Sequence, residues 1–236
     1  MMKAAFVFNG RSSLDFSIVI EGSDTFNNPE RDVETVSVDG RNGDLIIDHG
    51  RWKNVDLSYH AYIKEDFDLN FSNFRNFMLQ DSNYHVLKDN FHPDEFRMAR
   101  FKDKLDPDVT MLRAGVFSIK FNCKPQRFLL SGESEYTLSA GTYILRNPTI
   151  NTSKPVITVT SGTGKIQVNN TIIQLKANNG QTIIDSDTED CYEGSTNRNS
   201  DLILETDEYP SLKAGNNSIV IPSGMTVGIK PRWFKL

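Results

Sequence analysis

The sequence predicts a mainly β protein that carries a single α-helix. Residues 54–64 alternate apolar and polar side chains with the period of two that a half-buried strand shows. Residues 70–80 instead place apolar side chains at the three- and four-residue steps of a helix. From residue 131 onward, short β-branched runs alternate with Gly- and Asn-containing turns roughly every 8 to 12 residues, which is typical of a β-sandwich.

A long β-hairpin over residues 29–50 follows two short predicted strands at 3–8 and 16–21. Its outgoing strand is rich in β-branched residues, and Asp39-Gly40 and Asn42-Gly43 suit the positive φ angles of tight turns. Leu45–Ile47 predicts the return strand, which we expect to end at Asp48-His49-Gly50. Such a hairpin is marginal alone, so it needs more sheet or another chain to lie on.

The helical stretch predicts an aromatic face that packs on a sheet. Phe71, Phe74, Phe77 and Met78 share one side of the helix, and Asn70 or Ser72 is the expected N-cap. A second hairpin is predicted from residues 84–88 and 95–102. A further strand over 114–122 is expected to stop at Lys124-Pro125.

A change of composition near Ser131 predicts two domains, residues 1–130 and 131–236. The first is aromatic and charged, whereas the second is rich in Thr, Asn, Gly and Ile. The apolar C-terminus predicts that Trp233 is buried and that removal of the last six residues unfolds the second domain.

Composition argues against several classes of function. The 236 residues hold 26 Lys+Arg against 31 Asp+Glu, a net charge of -5, so the chain is a poor general nucleic-acid binder. A locally basic run is flanked by acids and predicts a solvated strand face: Arg97, Arg100, Lys102 and Lys104. No signal peptide and no run of about 20 apolar residues is visible, so we expect synthesis in a cytoplasm, with Cys123 and Cys191 as buried free thiols.

No residue cluster predicts catalysis, a cofactor or a metal. His85 and His92 flank a predicted hairpin, but two imidazoles need further ligands to close a metal site. Residues 162–165 predict a hairpin turn and not a phosphate loop, because they precede a strand. The acidic run from Asp185 to Asp190 predicts a solvated loop, with weak calcium binding as the alternative. The prediction is therefore a protein that is not an enzyme.

Short motifs in a fixed order give the chain a resemblance to a known family. They are Asn9-Gly10, Ile18-Val19-Ile20, Pro29-Glu30-Arg31, residues 40–45, 84–89 and 92–97, then Asn147-Pro148, Lys154-Pro155, Ile184-Asp185-Ser186, residues 209–212 and 215–217, and Pro231-Arg232-Trp233. Together they resemble the distal tail protein (Dit) family of siphophages and prophages of Gram-positive bacteria.

The resemblance implies a structural virion protein at the tail tip. Family members form a homohexameric ring. Their N-terminal domain is a tail-tube-like β-sandwich with one α-helix and a long hairpin, and their C-terminal domain is a galectin-like β-sandwich. The ring joins the tail tube to the tail hub or baseplate. Its central channel passes the tape-measure protein and DNA.

The same resemblance implies the partners. They are further copies of the chain, the major tail tube protein and the tail hub or tail-associated lysin. Receptor-binding proteins are held by an arm in larger relatives, which a C-terminal domain of about a hundred residues is expected to lack. DNA is expected to pass without specific binding, and no membrane anchor is expected. The protein is expected to be synthesised in the host cytoplasm.

The hairpin is the candidate subunit interface, and we expect Arg31–Asp48 to reach a neighbouring subunit. Its candidate contact residues are Val36, Val38, Leu45 and Ile47. The alternative function is a carbohydrate-binding module for host cell-wall adhesion, in which aromatic side chains stack on sugars. The candidates for that role are Tyr136, Tyr143, Tyr192, Tyr209, Trp233 and Phe234.

Overall fold

The computed structural model describes residues 4–21, 25–110, 113–178 and 180–236, and the chain divides into two compact units. Unit 1 comprises Met1–Arg127 and Leu236, and unit 2 comprises Phe128–Lys235. The mainly β fold with one α-helix is confirmed. Lys3, predicted in the first strand, and Asn179, predicted in a turn, lie outside the described residues.

Unit 1 is built on a large antiparallel sheet with strand order β2-β1-β7-β8-β10-β6-β3, and β9 also pairs with β10. Its elements are β1 (Phe6–Phe8), β2 (Arg11–Ser12), β3 (Ile18–Glu21), β4 (Arg31–Val36), β5 (Leu45–Trp52), β6 (Val55–Ile63), α1 (Phe67–Met78), β7 (His85–Asp89), β8 (Glu95–Phe101), β9 (Asp108–Thr110) and β10 (Ala114–Leu129). The alternation predicted for β6 is confirmed, because every second residue from Val55 to Ile63 is buried.

The core of unit 1 is an aromatic layer between α1 and this sheet. Phe6 stacks on Tyr59 with ring centroids 5.5 Å apart, and Phe74 of the helix packs at 6.4 Å from Phe6. Phe121 of β10 closes the cluster edge-on to Phe6, at 5.5 Å. The predicted packing of the helix on a sheet is therefore confirmed.

The helix begins at Phe67, earlier than predicted, and its predicted caps are wrong. Asp66 is the N-cap residue and makes no side-chain capping bond, while the Asn70 side chain donates to the Glu65 carbonyl oxygen over 3.1 Å. Phe67 extends the aromatic stripe by one turn, since it stacks on Phe71 at 5.1 Å. Gly115 makes this possible, because a Cβ there would lie 2.3 Å from the Phe67 ring.

The predicted stop at Lys124-Pro125 is also wrong, because β10 continues to Leu129. Pairing between β10 and β6 ends at Cys123. Pro125 therefore lies past the point where β6 requires a backbone N–H, and proline is tolerated in such positions of a strand.

Unit 2 is a β-sandwich of two sheets, with strand orders β11-β21-β13-β16-β17-β18 and β12-β20-β14-β15-β19. The strands are β11 (Tyr136–Leu138), β12 (Gly141–Asn147), β13 (Val156–Ser161), β14 (Gly164–Val168), β15 (Thr171–Leu175), β16 (Thr182–Asp185), β17 (Asp190–Glu193), β18 (Thr196–Asn197), β19 (Leu202–Leu204), β20 (Gly215–Ile221), β21 (Thr226–Lys230) and β22 (Phe234–Lys235). Residues 162 and 163 join β13 to β14 in the opposite sheet, so the hairpin turn predicted for residues 162–165 is wrong.

The C-terminal segment is part of the unit 2 core. Trp233 is 2% exposed, which confirms its predicted burial. The Leu129 N–H donates to the Trp233 carbonyl oxygen over 2.8 Å. Gly132 packs so closely that a Cβ there would lie 2.3 Å from the Trp233 backbone nitrogen. The unfolding of unit 2 on removal of residues 231–236 stays a prediction.

Candidate assembly surface

Strands β4 and β5 form a two-stranded sheet of their own. Val36 pairs with Leu45, Glu34 with Ile47 and Thr35 with Ile46. Within the described parts of the chain, neither strand pairs with any other. The predicted hairpin is therefore present, but its return strand runs on to Trp52 and does not end at residues 48–50.

Both faces of this hairpin carry apolar side chains along its strands. The register places Val36, Leu45 and Ile47 on one face and Val33 and Ile46 on the other. All except the half-buried Val36 are exposed, and Ile46 is 65% exposed. Three consecutive apolar residues, 45–47, place apolar side chains on both faces of a strand. The predicted contact residues did not include Ile46 and Val33, so the second apolar face was missed.

Val38 lies beyond the end of β4, in the loop that joins the strands. It is exposed, and its carbonyl oxygen accepts a hydrogen bond from the Arg41 N–H over 3.1 Å. The structure thus brings Val36, Leu45 and Ile47 together on one face and places Val38 at the tip.

Ion pairs hold the base of the hairpin, where the register between Arg31 and Val33 shifts. The Arg31 guanidinium donates to both Asp48 carboxylate oxygens over 2.8–3.0 Å and lies 5.0 Å from the Trp52 ring centroid. The Arg31 hydrogen bond, followed by one from the Gly50 N–H, holds the pKa of Asp48 below its usual value. The base is held by charged pairs, whereas the exposed apolar side chains lie on the strands between the base and the loop.

The other candidate sites do not assemble in the structure. His85 Nε2 lies 2.8 Å from Asp81, whereas His92 Nε2 lies 3.1 Å from the Thr25 carbonyl oxygen. Across residues 4–21, 25–110, 113–178 and 180–236, no group of three or more His, Cys, Asp or Glu side chains could hold a metal ion. The two cysteines are buried and free as predicted, and burial raises the pKa of Cys123 to about 12 and that of Cys191 to about 11.

Two charged runs differ from their predictions. Asp185 is buried and forms a bidentate pair with Arg232, with both N–O distances at 2.7 Å, so it does not belong to a solvated loop. Arg97 is only 6% exposed and does not belong to a solvated strand face. Lys102 of the same run is exposed and pairs with Asp56 at 2.6 Å.

The aromatic residues considered for sugar stacking are mostly committed to packing. Trp233 is buried, and Tyr143 and Tyr209 pack against the unit 2 core. Phe234 lies 6.2 Å from Phe128. Tyr136, on the edge strand β11, is the exposed member of the set.

Comparison with solved structures decides the fold. The crystal structure of the Dit protein (gp 19.1) of phage SPP1 superposes with a TM-score of 0.76, at 13% sequence identity. This chain has the Dit fold. The match covers 98% of this chain and 99% of SPP1 Dit, so the Dit fold accounts for both units. That protein is described as a paradigm of the hub adsorption apparatus in phages that infect Gram-positive bacteria.

Comparison of the sequence finds no match, either to a protein-family model or to a curated protein. The described residues contain no helix that is both long and apolar enough to cross a membrane.

Proposed function

We propose that the chain is a structural component of a phage tail that forms the distal ring between the tail tube and the tail hub. The observation that carries this proposal is the likeness of fold to SPP1 Dit over nearly the whole of both chains. We assign no enzymatic activity to it. The proposed location is the tip of the virion tail, after synthesis in the host cytoplasm.

The hairpin supplies a physical reason for self-assembly. Its strands expose Val33, Leu45, Ile46 and Ile47 on a ribbon that is only two strands wide. An isolated hairpin is marginally stable, and its unpaired edges are templates for pairing with another chain. Burial of these side chains on assembly would stabilise each interface of a closed ring by about 1 kcal/mol per side chain.

The proposed ring has six copies and an open channel. Unit 1 forms the collar that continues the tail tube, and we propose that unit 2 is a galectin-like sandwich. The chain carries a net charge of -5, which disfavours adhesion of DNA as it passes together with the tape-measure protein. The proposed contacts of the ring are the major tail tube protein and the tail hub.

A double substitution of the hairpin tests this proposal. Val36→Asp with Leu45→Asp puts two charges on one hairpin face, where they would be desolvated by a neighbouring subunit. We expect folded monomers where the parent chain forms rings, measured by light scattering and circular dichroism.

The matched control is Ile150→Asp, which adds a charge at a side chain that is 92% exposed in unit 2. We expect this variant to form rings like the parent. Intact rings in the hairpin variant would refute the interface, and an equal loss of rings in the control would show that added charge alone disrupts assembly.

A further inference from the structure

The segment that leads into the hairpin is tied to a buried arginine. Arg97 of β8 donates from Nη2 to the Asn27 side-chain oxygen over 3.1 Å. The Asn27 amide in turn donates to the Asp56 carbonyl oxygen of β6 over 2.7 Å. Asn27 therefore bridges two strands of the main sheet just before the hairpin begins, and Arg97 is the buried end of this link.

A second contact fixes the same segment. His92 Nε2 lies 3.1 Å from the Thr25 carbonyl oxygen, and because a carbonyl only accepts, Nε2 carries the proton. The Phe26 ring lies edge-on to the His92 ring, 4.6 Å away. The residues before β4 are thus held to the body of unit 1 at two adjacent points.

The hairpin itself has no such ties. In the described part of the chain, every hydrogen bond and ion pair of residues 31–52 stays within residues 30–53. Its orientation therefore depends on the segments at its base. Arg97 acts on the entry segment from the interior of the sheet.

Beside Arg97 lies a small cleft of about 10 Å³, lined by residues of β6, β7, β8 and β10 and by His92. Arg97 Nη1 and Arg127 Nε, from two of the lining side chains, are buried N–H groups that no oxygen of the described residues accepts. Such groups are normally satisfied by a protein oxygen or an ordered water. The volume is at the lower limit of what one water molecule requires, so the cleft has room for one water and no more.

The charges around the cleft favour a neutral ligand. Asp89 and Glu95 line it together with Arg97 and Arg127, so two carboxylates face two guanidinium groups. Tyr59, also in the lining, donates to Asp89 over 2.6 Å and is already satisfied. An anion would add charge to a balanced site, whereas water adds an oxygen acceptor and no charge.

We propose that Arg97, together with one water molecule bound between it and Arg127, is the positioning site that fixes the direction in which the hairpin leaves unit 1. Asn27 transmits this position to the hairpin entry. That a fixed hairpin direction helps the ring to close rests on the proposed function. The positioning of the hairpin by Arg97 within one chain does not.

Distance measurements between spin labels test the positioning. Labels on Ser37→Cys in the hairpin loop and Asn73→Cys on the exposed face of α1 report the hairpin direction, and the buried Cys123 and Cys191 do not react. Labelled protein is diluted into an excess of unlabelled protein, so that distances within one chain are read whether or not rings form. We expect Arg97→Met to broaden the distance distribution.

Two further variants keep the test decisive. Asn27→Ala removes the hydrogen bond between Asn27 and Arg97 without changing a buried charge. It should also broaden the distance distribution, and it replaces Arg97→Met if that variant fails to fold. Ser13→Ala removes buried hydrogen bonds to Phe6 and Ile18 elsewhere in unit 1, away from the cleft and from residues 25–29, and should leave the distribution narrow. An unchanged width in Asn27→Ala, or equal broadening in Ser13→Ala, would overturn the positioning role.

The bound molecule is tested by a high-resolution crystal structure with and without a bromide soak. We expect one density peak within hydrogen-bond distance of both Arg97 Nη1 and Arg127 Nε, without anomalous signal after the soak. An empty cleft, or a bromide peak in it, would overturn the assignment of water. Neither result bears on ring formation, so failure here and failure of the proposed function are distinguishable.

Discussion

The Asp185–Arg232 pair joins the end of β16 to the C-terminal segment of unit 2. Desolvation raises the pKa of the Asp185 carboxyl, but hydrogen bonds from Arg232 and the Asp187 N–H outweigh it, and the net shift is downward. A carboxylate that is bound in this way stabilises the folded state only while it is ionised. Its contribution is full above the ordinary pKa of 3.8 and is lost as the pH falls through the lowered folded value.

Asp185→Asn should therefore destabilise unit 2 by about 3 kcal/mol near neutral pH, because Arg232 is left partly buried without its counter-charge. The variant should also lose part of the parent's acid sensitivity below the ordinary carboxyl pKa. Urea unfolding at a series of pH values measures both effects. Asp187→Asn, at an exposed position of the same run, is the control and should behave like the parent; equal losses in the two variants would contradict this assignment.

Residue patterns in the sequence could not show which charges turn inward. Arg97 stands in a basic run and Asp185 in an acidic run, and both runs resemble solvated surface. Each of the two side chains is buried against a partner, Asn27 for Arg97 and Arg232 for Asp185. Both partners come from a distant part of the chain, so no local pattern indicates the burial. The burial of Trp233 was predictable, since an apolar terminal segment has a large free-energy gain from packing.

Helix α1 shows what periodicity does and does not predict about an element. The stripe of Phe71, Phe74 and Met78 gave the buried face correctly. The first turn was missed, because Phe67 packs where Gly115 leaves room for its ring, and a contact of this kind has no local sequence pattern.

Gly115→Ala should destabilise unit 1 by about 2 kcal/mol, because the new methyl group would overlap the Phe67 ring. Combining it with Phe67→Leu, which shortens the side chain, should recover part of that loss. A double-mutant cycle of unfolding free energies measures the coupling. Additive losses in the double variant would show that Phe67 is not the neighbour that makes glycine necessary.

The hairpin was the most predictable element and its base the least. β-Branched residues and Gly-containing turns predicted β4, the loop and the start of β5. The continuation to Trp52 depends on Gly50, which has φ of +75° within a bulge, and on the Arg31–Trp52 pairing. Of the candidate interface, Val36, Leu45 and Ile47 share a face as an alternating pattern requires, while the second face needed the observed register.

The whole chain keeps the Dit fold at 13% identity to SPP1 Dit, with a TM-score of 0.76. Alternation, turn residues and core volume specify such a fold, and cores accept many substitutions that preserve them. The sequence therefore predicts the architecture of each unit better than it predicts a surface, whose partner lies outside the chain.

Assembly into a closed ring requires an interface between subunits of about 1,000 Å² or more. Light scattering on the purified parent protein, with negative-stain images of the same peak, shows whether such a ring forms. We expect six-subunit rings with an open centre. A monodisperse monomer at every protein concentration would contradict self-assembly through the exposed hairpin.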